Sequence, residues 1–235
     1  MIDLSIVVPT FNEGENVAVV AARVRHAMDG HSYELIFVDD CTDDTPAALE
    51  RLAQTDRNVR FLHRDGVRGL GAAVLLGMHA AQGWAVAEMD GDLQHPPELL
   101  PQMLAGLSGA DIVIASRFVG GGSVEGLNAY RRLVSLSARS LGRWALPRLR
   151  GISDPTGGFF ALRRSVIADI EVRPIGWRVL IEILARGRYE RVIEIPYRFA
   201  PRHAGISKFS VAETASYLRQ LGRLFWDSRI RRLSS

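Results

Sequence analysis

The chain of 235 residues holds one cysteine, Cys41, and one lysine, Lys208. A lone thiol excludes an internal disulfide and any zinc site built from several cysteines, so a reducing cytoplasm is the expected compartment. Apolar runs fall far short of the ~20 residues that a membrane-spanning helix needs. The opening Met1-Ile2-Asp3-Leu4 lacks the basic and apolar regions of a signal peptide. The expectation is a chain with neither a transmembrane segment nor a secretory leader. No G-x-G-x-x-G fingerprint follows the first apolar run, which weighs against a dinucleotide oxidoreductase. The basic residues are dispersed and match no nucleic-acid-binding module, so no nucleic-acid partner is expected.

What the chain does have is an uneven charge. Residues 1–147 carry 12 Arg against 18 Asp and Glu, a net −6, whereas residues 148–235 carry 17 Arg and Lys against 8 acids, a net +9. An acidic half followed by a basic half suits a phosphate-bearing substrate bound through a metal, or an anionic surface. A basic solvated face gives the same count.

The order of elements is legible from periodicity. Continuous apolar runs at Leu4–Val8, Tyr33–Val38, Val59–His63, Ala85–Met89 and Asp111–Ala115 read as buried strands. Helical spacing falls at Val17–Met28, Pro46–Gln54, Leu70–Ala81 and Leu99–Leu107. Beyond Ala115 come a glycine loop at 120–122 and an amphipathic helix with Leu133, Leu136, Leu141 and Trp144 in its apolar stripe. A turn at Asp154–Phe160, a helix near Val179–Ala185 and a strand across Val192–Phe199 follow. Strands alternating with helices predict an α/β fold, a mostly parallel central sheet with helices on both faces. Ligands of such a sheet sit outside the carboxyl ends of its strands.

Polar groups collect at those ends: Thr10-Phe11-Asn12-Glu13 after the first strand, Asp39-Asp40 after the second, and Asp90-Gly91-Asp92-Leu93-Gln94-His95 after the fourth. Asp-Gly-Asp alone reads as a polar turn. On a rim shared with the other carboxylates, its paired hard oxygens suit Mg²⁺ or Mn²⁺ bridging a diphosphate, and Gly91 would let a phosphate approach. Arg68-Gly69-Leu70-Gly71 opens a helix that could face a phosphate or be simply capped. His95 and His203 are readable as bases, but His95 better suits orienting the Pro96-Pro97 turn and His203 a phosphate loop.

Taken together, Val8–Glu13, Val38-Asp39-Asp40, Met89–Glu98, Ser116-Arg117-Phe118, Asp154–Phe160 and Gly205-Ile206-Ser207-Lys208 resemble the family-two glycosyltransferases. Within them the chain resembles the dolichyl- or polyprenyl-phosphate mannose synthases, from Leu4 to about Tyr217. It departs at Phe11, where tyrosine is more usual, and at Gly91, where alanine is common. The resemblance implies a glycosyltransferase A fold. It implies that Pro9, Phe11, Glu13, Val38 and Asp40, with Asp39 beside them, hold the base and ribose of a nucleotide sugar. Asp90, Asp92 and Gln94 would hold the divalent metal, Mg²⁺ or Mn²⁺, with Gly91 between them against the donor. Arg117, Arg131, Arg202 and Lys208 would surround the phosphates. Arg202 and Lys208 are assigned to the donor, Arg117, Arg131 and Arg202 to the acceptor phosphate, and Asp92, Arg117 and Arg131 to catalysis.

The expected enzyme is an inverting, metal-dependent transferase moving mannose from GDP-mannose to a polyprenyl or dolichyl phosphate. A UDP-sugar donor and a non-catalytic nucleotide-sugar-binding module are the alternatives. Its expected partners are the donor, the lipid-phosphate acceptor, a membrane surface and a separate membrane-anchoring protein, at the cytoplasmic face of a membrane. Residues 1–209 would form the catalytic domain. In residues 210–235, Val211, Ala215, Leu218, Leu221 and Phe225 would line one helix face between arginines. Such a helix suits an anionic membrane surface or a docking site on the core.

Overall fold

The computed structural model describes residues 1–64, 69–123, 137, 140–173, 175–176, 178–199 and 211–233, with side chains of the last helix described for 215–227. Seven strands form one sheet: β1 (Leu4–Thr10), β2 (Tyr33–Asp39), β3 (Val59–His63), β4 (Ala85–Glu88), β5 (Ile112–Ser116), β6 (Phe160–Arg163) and β7 (Val192–Pro196), in the order β3-β2-β1-β4-β6-β5-β7. Every neighbouring pair is parallel except those made by β6, which runs antiparallel to both β4 and β5. The mostly parallel sheet is as the sequence predicts. Strand β6 is the addition, because a four-residue apolar stretch after a turn carries no period long enough to read. Strand β7 stops at Pro196, short of Phe199, where its partner β5 ends at Ser116, and Phe199 bonds Ser123 beyond it.

The central strands are buried on both faces, which is why β1, β2 and β5 read as unbroken apolar runs. Helices α1 (Gly14–Ala27), α2 (Thr45–Thr55) and α4 (Leu100–Gly106) cover one face, packing Val17, Val20, Val24, Leu49 and Met103 on Ile6, Val8, Phe37 and Phe159. Helices α3 (Leu70–Ala80), α5 (Val179–Arg186) and α6 (Val211–Leu233) cover the other, against Val7, Ile36, Val86 and Phe160. Helix α3 approaches closely at Gly77, where a Cβ would lie 2.4 Å from Val7 Cγ1. No helix among the described residues is long and apolar enough to cross a membrane.

Two expected stripes are placed differently. Leu133 and Leu136 lie outside the described residues, while Leu141 and Trp144 are 37% and 75% exposed. It is Gly142, Ala145 and Leu146 that turn inward there, with Gly142 against Tyr217. In α6 the buried face is Tyr217, Gln220, Leu221 and Leu224, whereas Ala215 and Leu218 face out. The sequence stripes joined residues from adjacent faces, because leucine occurs on both: Leu141 and Leu218 are exposed while Leu146, Leu221 and Leu224 are buried.

Candidate active site

The sheet order puts the carboxyl ends of β2, β1 and β4 side by side. The antiparallel β6 starts at the same rim where β5 and β7 end. At β2, Asp39 is fully buried: His63 Nδ1 lies 2.7 Å from its Oδ2, and Thr10 Oγ1 and the Cys41 N–H each donate to Oδ1 at 3.3 Å. Asp40, 7% exposed, takes Arg64 Nε at 2.6 Å on Oδ1, and Arg64 Nη2 with the Gly69 N–H on Oδ2. The loop after β1 is fastened across to β2. Asn12, at a φ of 57° that asparagine tolerates, donates its N–H to Cys41 Sγ at 2.8 Å and accepts the Thr42 N–H. Burial and the Asp39 carboxylate push the Cys41 thiol up to about 11, so it serves there as an inert acceptor.

The turn after β4 is held from within. The Asp90 N–H donates to His95 Nδ1 at 2.9 Å, and the Gln94 N–H donates to Asp92 Oδ1 at 3.1 Å. Leu93 sits at φ 64°, an unusual backbone for a bulky residue. Its side chain is buried in the core with Met89, which pins the turn. His95 is 2% exposed and stacks on Phe159 with ring centroids 5.0 Å apart. Burial drives its pKa down to about 4, against the pull of Asp92. A neutral imidazole whose Nδ1 accepts the Asp90 N–H positions that residue and is poorly suited to act as a base. A Cβ on Gly91 would meet Val8 Cγ1 at 3.4 Å and Thr10 Cγ2 at 3.5 Å, ordinary contacts that face β1. The glycine is therefore not what opens the site to a phosphate.

The other half of the rim centres on Arg117. It grips the fully buried Asp154 through Nε at 2.8 Å and Nη2 at 2.9 Å, and lies over the Phe118 and Phe199 rings. Burial alone would lower the arginine's pKa. The Asp154 charge more than offsets it, and the guanidinium stays protonated. Glu194 accepts the Ser153 and Asp154 N–H groups and so fixes this turn. A Cβ on Gly158 would lie 3.5 Å from His95 Cε1 and about 4 Å from the Asp90 carboxylate, so the 154–160 turn closes against the β4 turn.

The structure thus brings Pro9, Phe11, Glu13, Val38, Asp39, Asp40, Asp90, Gly91, Asp92, Gln94 and Arg117 to one rim. Arg68, Arg131, Arg202, His203 and Lys208 lie outside the described residues. His63, Arg64, Asn12 and Asp154 were missed as site residues. Asn12 and Asp154 lie within the motifs quoted above but were given no role, and the only sequence signal of His63 and Arg64 is position at a strand end. A cavity of about 900 Å³ lies at the opposite end of the sheet, beside Asp111, Arg186, Arg188 and Asp227, and its ionic groups largely pair with one another.

No group of three or more His, Cys, Asp or Glu side chains among the described residues could hold a metal. The donor set at the β4 turn is two carboxylates and an amide, with the Asp90 side chain 35% exposed. That set fits a hard cation taking its remaining oxygens from a diphosphate and water. Glu88, buried just before the turn, has its pKa raised well above the ordinary carboxyl value by burial and by the Asp90 charge.

A family model described as glycosyl transferase family 2 matches residues 5–171. A dolichol-phosphate mannosyltransferase of Pyrococcus furiosus is 40% identical over 98% of this chain, which spans 66% of that relative's length. One of Saccharomyces cerevisiae is 34% identical over 95% of the chain and 87% of its own length. A mannosyltransferase of Pyrobaculum calidifontis, solved with GDP-Man and Mn²⁺, has the same fold at 19% identity and a TM-score of 0.61, covering 97% of this chain and 64% of that one.

Proposed function

The chain belongs to glycosyl transferase family 2, and from that premise we propose that it moves mannose from GDP-mannose to a dolichyl or polyprenyl phosphate, with inversion and with a divalent metal. The observation that carries this reading is the rim itself. Four carboxylates at the ends of β2 and β4 face an arginine-bearing half built by β5, β6 and β7. The dolichol-phosphate mannosyltransferases among the relatives support the sugar and the acceptor class.

Asp90, Asp92 and Gln94 would hold the metal, which supplies positive charge to the departing diphosphate. The residues around them set its geometry: His95 fixes the Asp90 backbone and Gln94 fixes one Asp92 oxygen. Asp40 and Phe11, at the ends of β2 and β1, would hold the nucleoside. The acceptor is a phosphomonoester, with a second pKa of about 6. Its oxygen is ionised near neutral pH and needs no base, in keeping with a buried, neutral His95. What the chain contributes on that side is cationic positioning. Arg117 is held rigid by Asp154, and we assign Arg131 and Arg202 to the same cradle, with Lys208 on the donor.

We place the enzyme on the cytoplasmic face of a membrane, where the outer face of α6 exposes Leu218 and Trp226 beside Arg219. The test is a donor screen with purified protein, Mg²⁺ or Mn²⁺ and a short polyprenyl phosphate. Mannosyl transfer from GDP-mannose that stops on chelation is the expected result. Transfer from a UDP-sugar alone, or binding without turnover, rejects the reading.

A further inference from the structure

Asp40 is engaged in a way that no base-contacting role by itself requires. Both its oxygens are occupied from β3's end of the rim: Arg64 Nε on Oδ1, and Arg64 Nη2 with the Gly69 N–H on Oδ2. The same Nη2 donates to the Gly69 carbonyl at 3.1 Å, so one guanidinium ties the end of β2 to the start of α3. Both partners are largely buried, with side chains 13% and 8% exposed. A carboxylate offers about four lone-pair positions. Among the described residues three of them are filled, and the remaining one is on Oδ1.

We propose that Arg64 is a positioning residue of the donor site, locking Asp40 so that its carboxylate presents one acceptor position to the nucleobase. The proposal rests on Asp40 being a base contact, as the proposed function has it. Guanine's Watson–Crick edge offers adjacent N1–H and N2–H donors, which an unoccupied carboxylate would take as a fork. The Arg64 guanidinium already fills that fork. Asp40 then reads a single ring N–H, N1–H of a guanine or N3–H of a uracil, and is indifferent to the exocyclic 2-amino group.

Calorimetry with Mn²⁺ on GDP, inosine diphosphate and UDP tests this, on the wild type and on Arg64→Met, Arg64→Lys and Asp40→Asn. In the wild type, GDP and inosine diphosphate should bind within about twofold of each other. Arg64→Met should weaken inosine diphosphate by about tenfold, the equivalent of one net hydrogen bond, and GDP by less, since the freed carboxylate can take both guanine donors, raising the donor KM while leaving kcat at saturating donor. Arg64→Lys, which restores the charge without the fork, should recover part of the loss. Thermal melting monitors folding of each variant. The proposal is overturned if Arg64→Met binds inosine diphosphate as well as or better than the wild type, or loses kcat in proportion to KM. It is equally overturned if the wild type disfavours inosine diphosphate tenfold and Asp40→Asn abolishes that difference. A wild type that binds UDP in place of GDP rejects the donor assignment alone. The Arg64 variants are then read with UDP, whose single N3–H meets the same acceptor.

Discussion

Asp92 is 3% exposed, yet the turn around it is held by contacts that asparagine preserves, since Oδ1 accepts the Gln94 N–H. Asp92→Asn should therefore fold and melt as the wild type does, while losing the charge offered to a metal. That charge is worth several kcal/mol in the transition state, so turnover should fall about a hundredfold or more, measured at limiting Mn²⁺. Gly91 is the counter-case. Its backbone is not left-handed and a methyl group would rest on Val8 and Thr10 at contact distance. Gly91→Ala should keep turnover within about twofold and cost less than about 1 kcal/mol of stability, the range of well-fitting small changes. Glu88 makes the third case. Its carboxyl ionises at higher pH folded than unfolded, because burial and Asp90 disfavour the charge. Its contribution to stability is thus full below the ordinary carboxyl range and falls as pH rises from there toward the folded value. Glu88→Gln should flatten that slope, gaining stability over the wild type at pH 8 and little at pH 4 in metal-free urea melts.

Helix α6 has two apolar faces, and each makes its own prediction. The inner face is tied down by Glu182 of α5, fully buried, which accepts from Arg186 Nε at 2.9 Å, from Arg223 and from Gln220. Glu182→Ala would remove one partner from each of two arginines, which keep Asp227 and the Arg173 carbonyl, and should cost about 1.5–3 kcal/mol in denaturant melts, as losing a charged hydrogen bond does. The outer face exposes Leu218 at 51% and Trp226 at 66%. If it meets lipid, Trp226→Ala with Leu218→Ala should weaken binding to anionic vesicles with no loss of stability, and wild-type binding should fall with salt. Unchanged vesicle binding assigns this face another role. Elements as long as β1 or α1 were legible because burial on two faces or one writes a run or a period. β6 was not, for it is four residues whose partners lie more than 45 residues away in β4 and β5. The rim carboxylates could be read as a group once strand ends were aligned. The Arg64–Asp40 and Arg117–Asp154 grips could not, because pairing between strand ends depends on sheet order, and sequence spacing carries no trace of it.

The charges at the rim do not follow the acidic and basic halves of the chain, since Arg117 belongs to the first half and its partner Asp154 to the second. β1, β2 and β4 bring Asp39, Asp40, Asp90 and Asp92, while the β5–β7 half brings Arg117 with Asp154. Ser123 is fastened to this second half, its N–H on the Tyr197 carbonyl and its carbonyl accepting from Phe199. Arg131 follows eight residues later in the sequence and lies outside the described residues, and we assign it to the acceptor side. A donor held by carboxylates and metal, with an acceptor phosphate held by arginines, keeps two polyanions apart until transfer. On that division Arg131→Ala loses a charge-assisted contact to the acceptor, about 1.5–3 kcal/mol, which is about ten- to a hundredfold in the specificity constant for lipid phosphate. Donor affinity, measured by calorimetry with metal present, should stay near wild type. A variant whose donor affinity falls as far as its activity would move Arg131 to the other half of the rim, and with it the proposed route of the lipid phosphate.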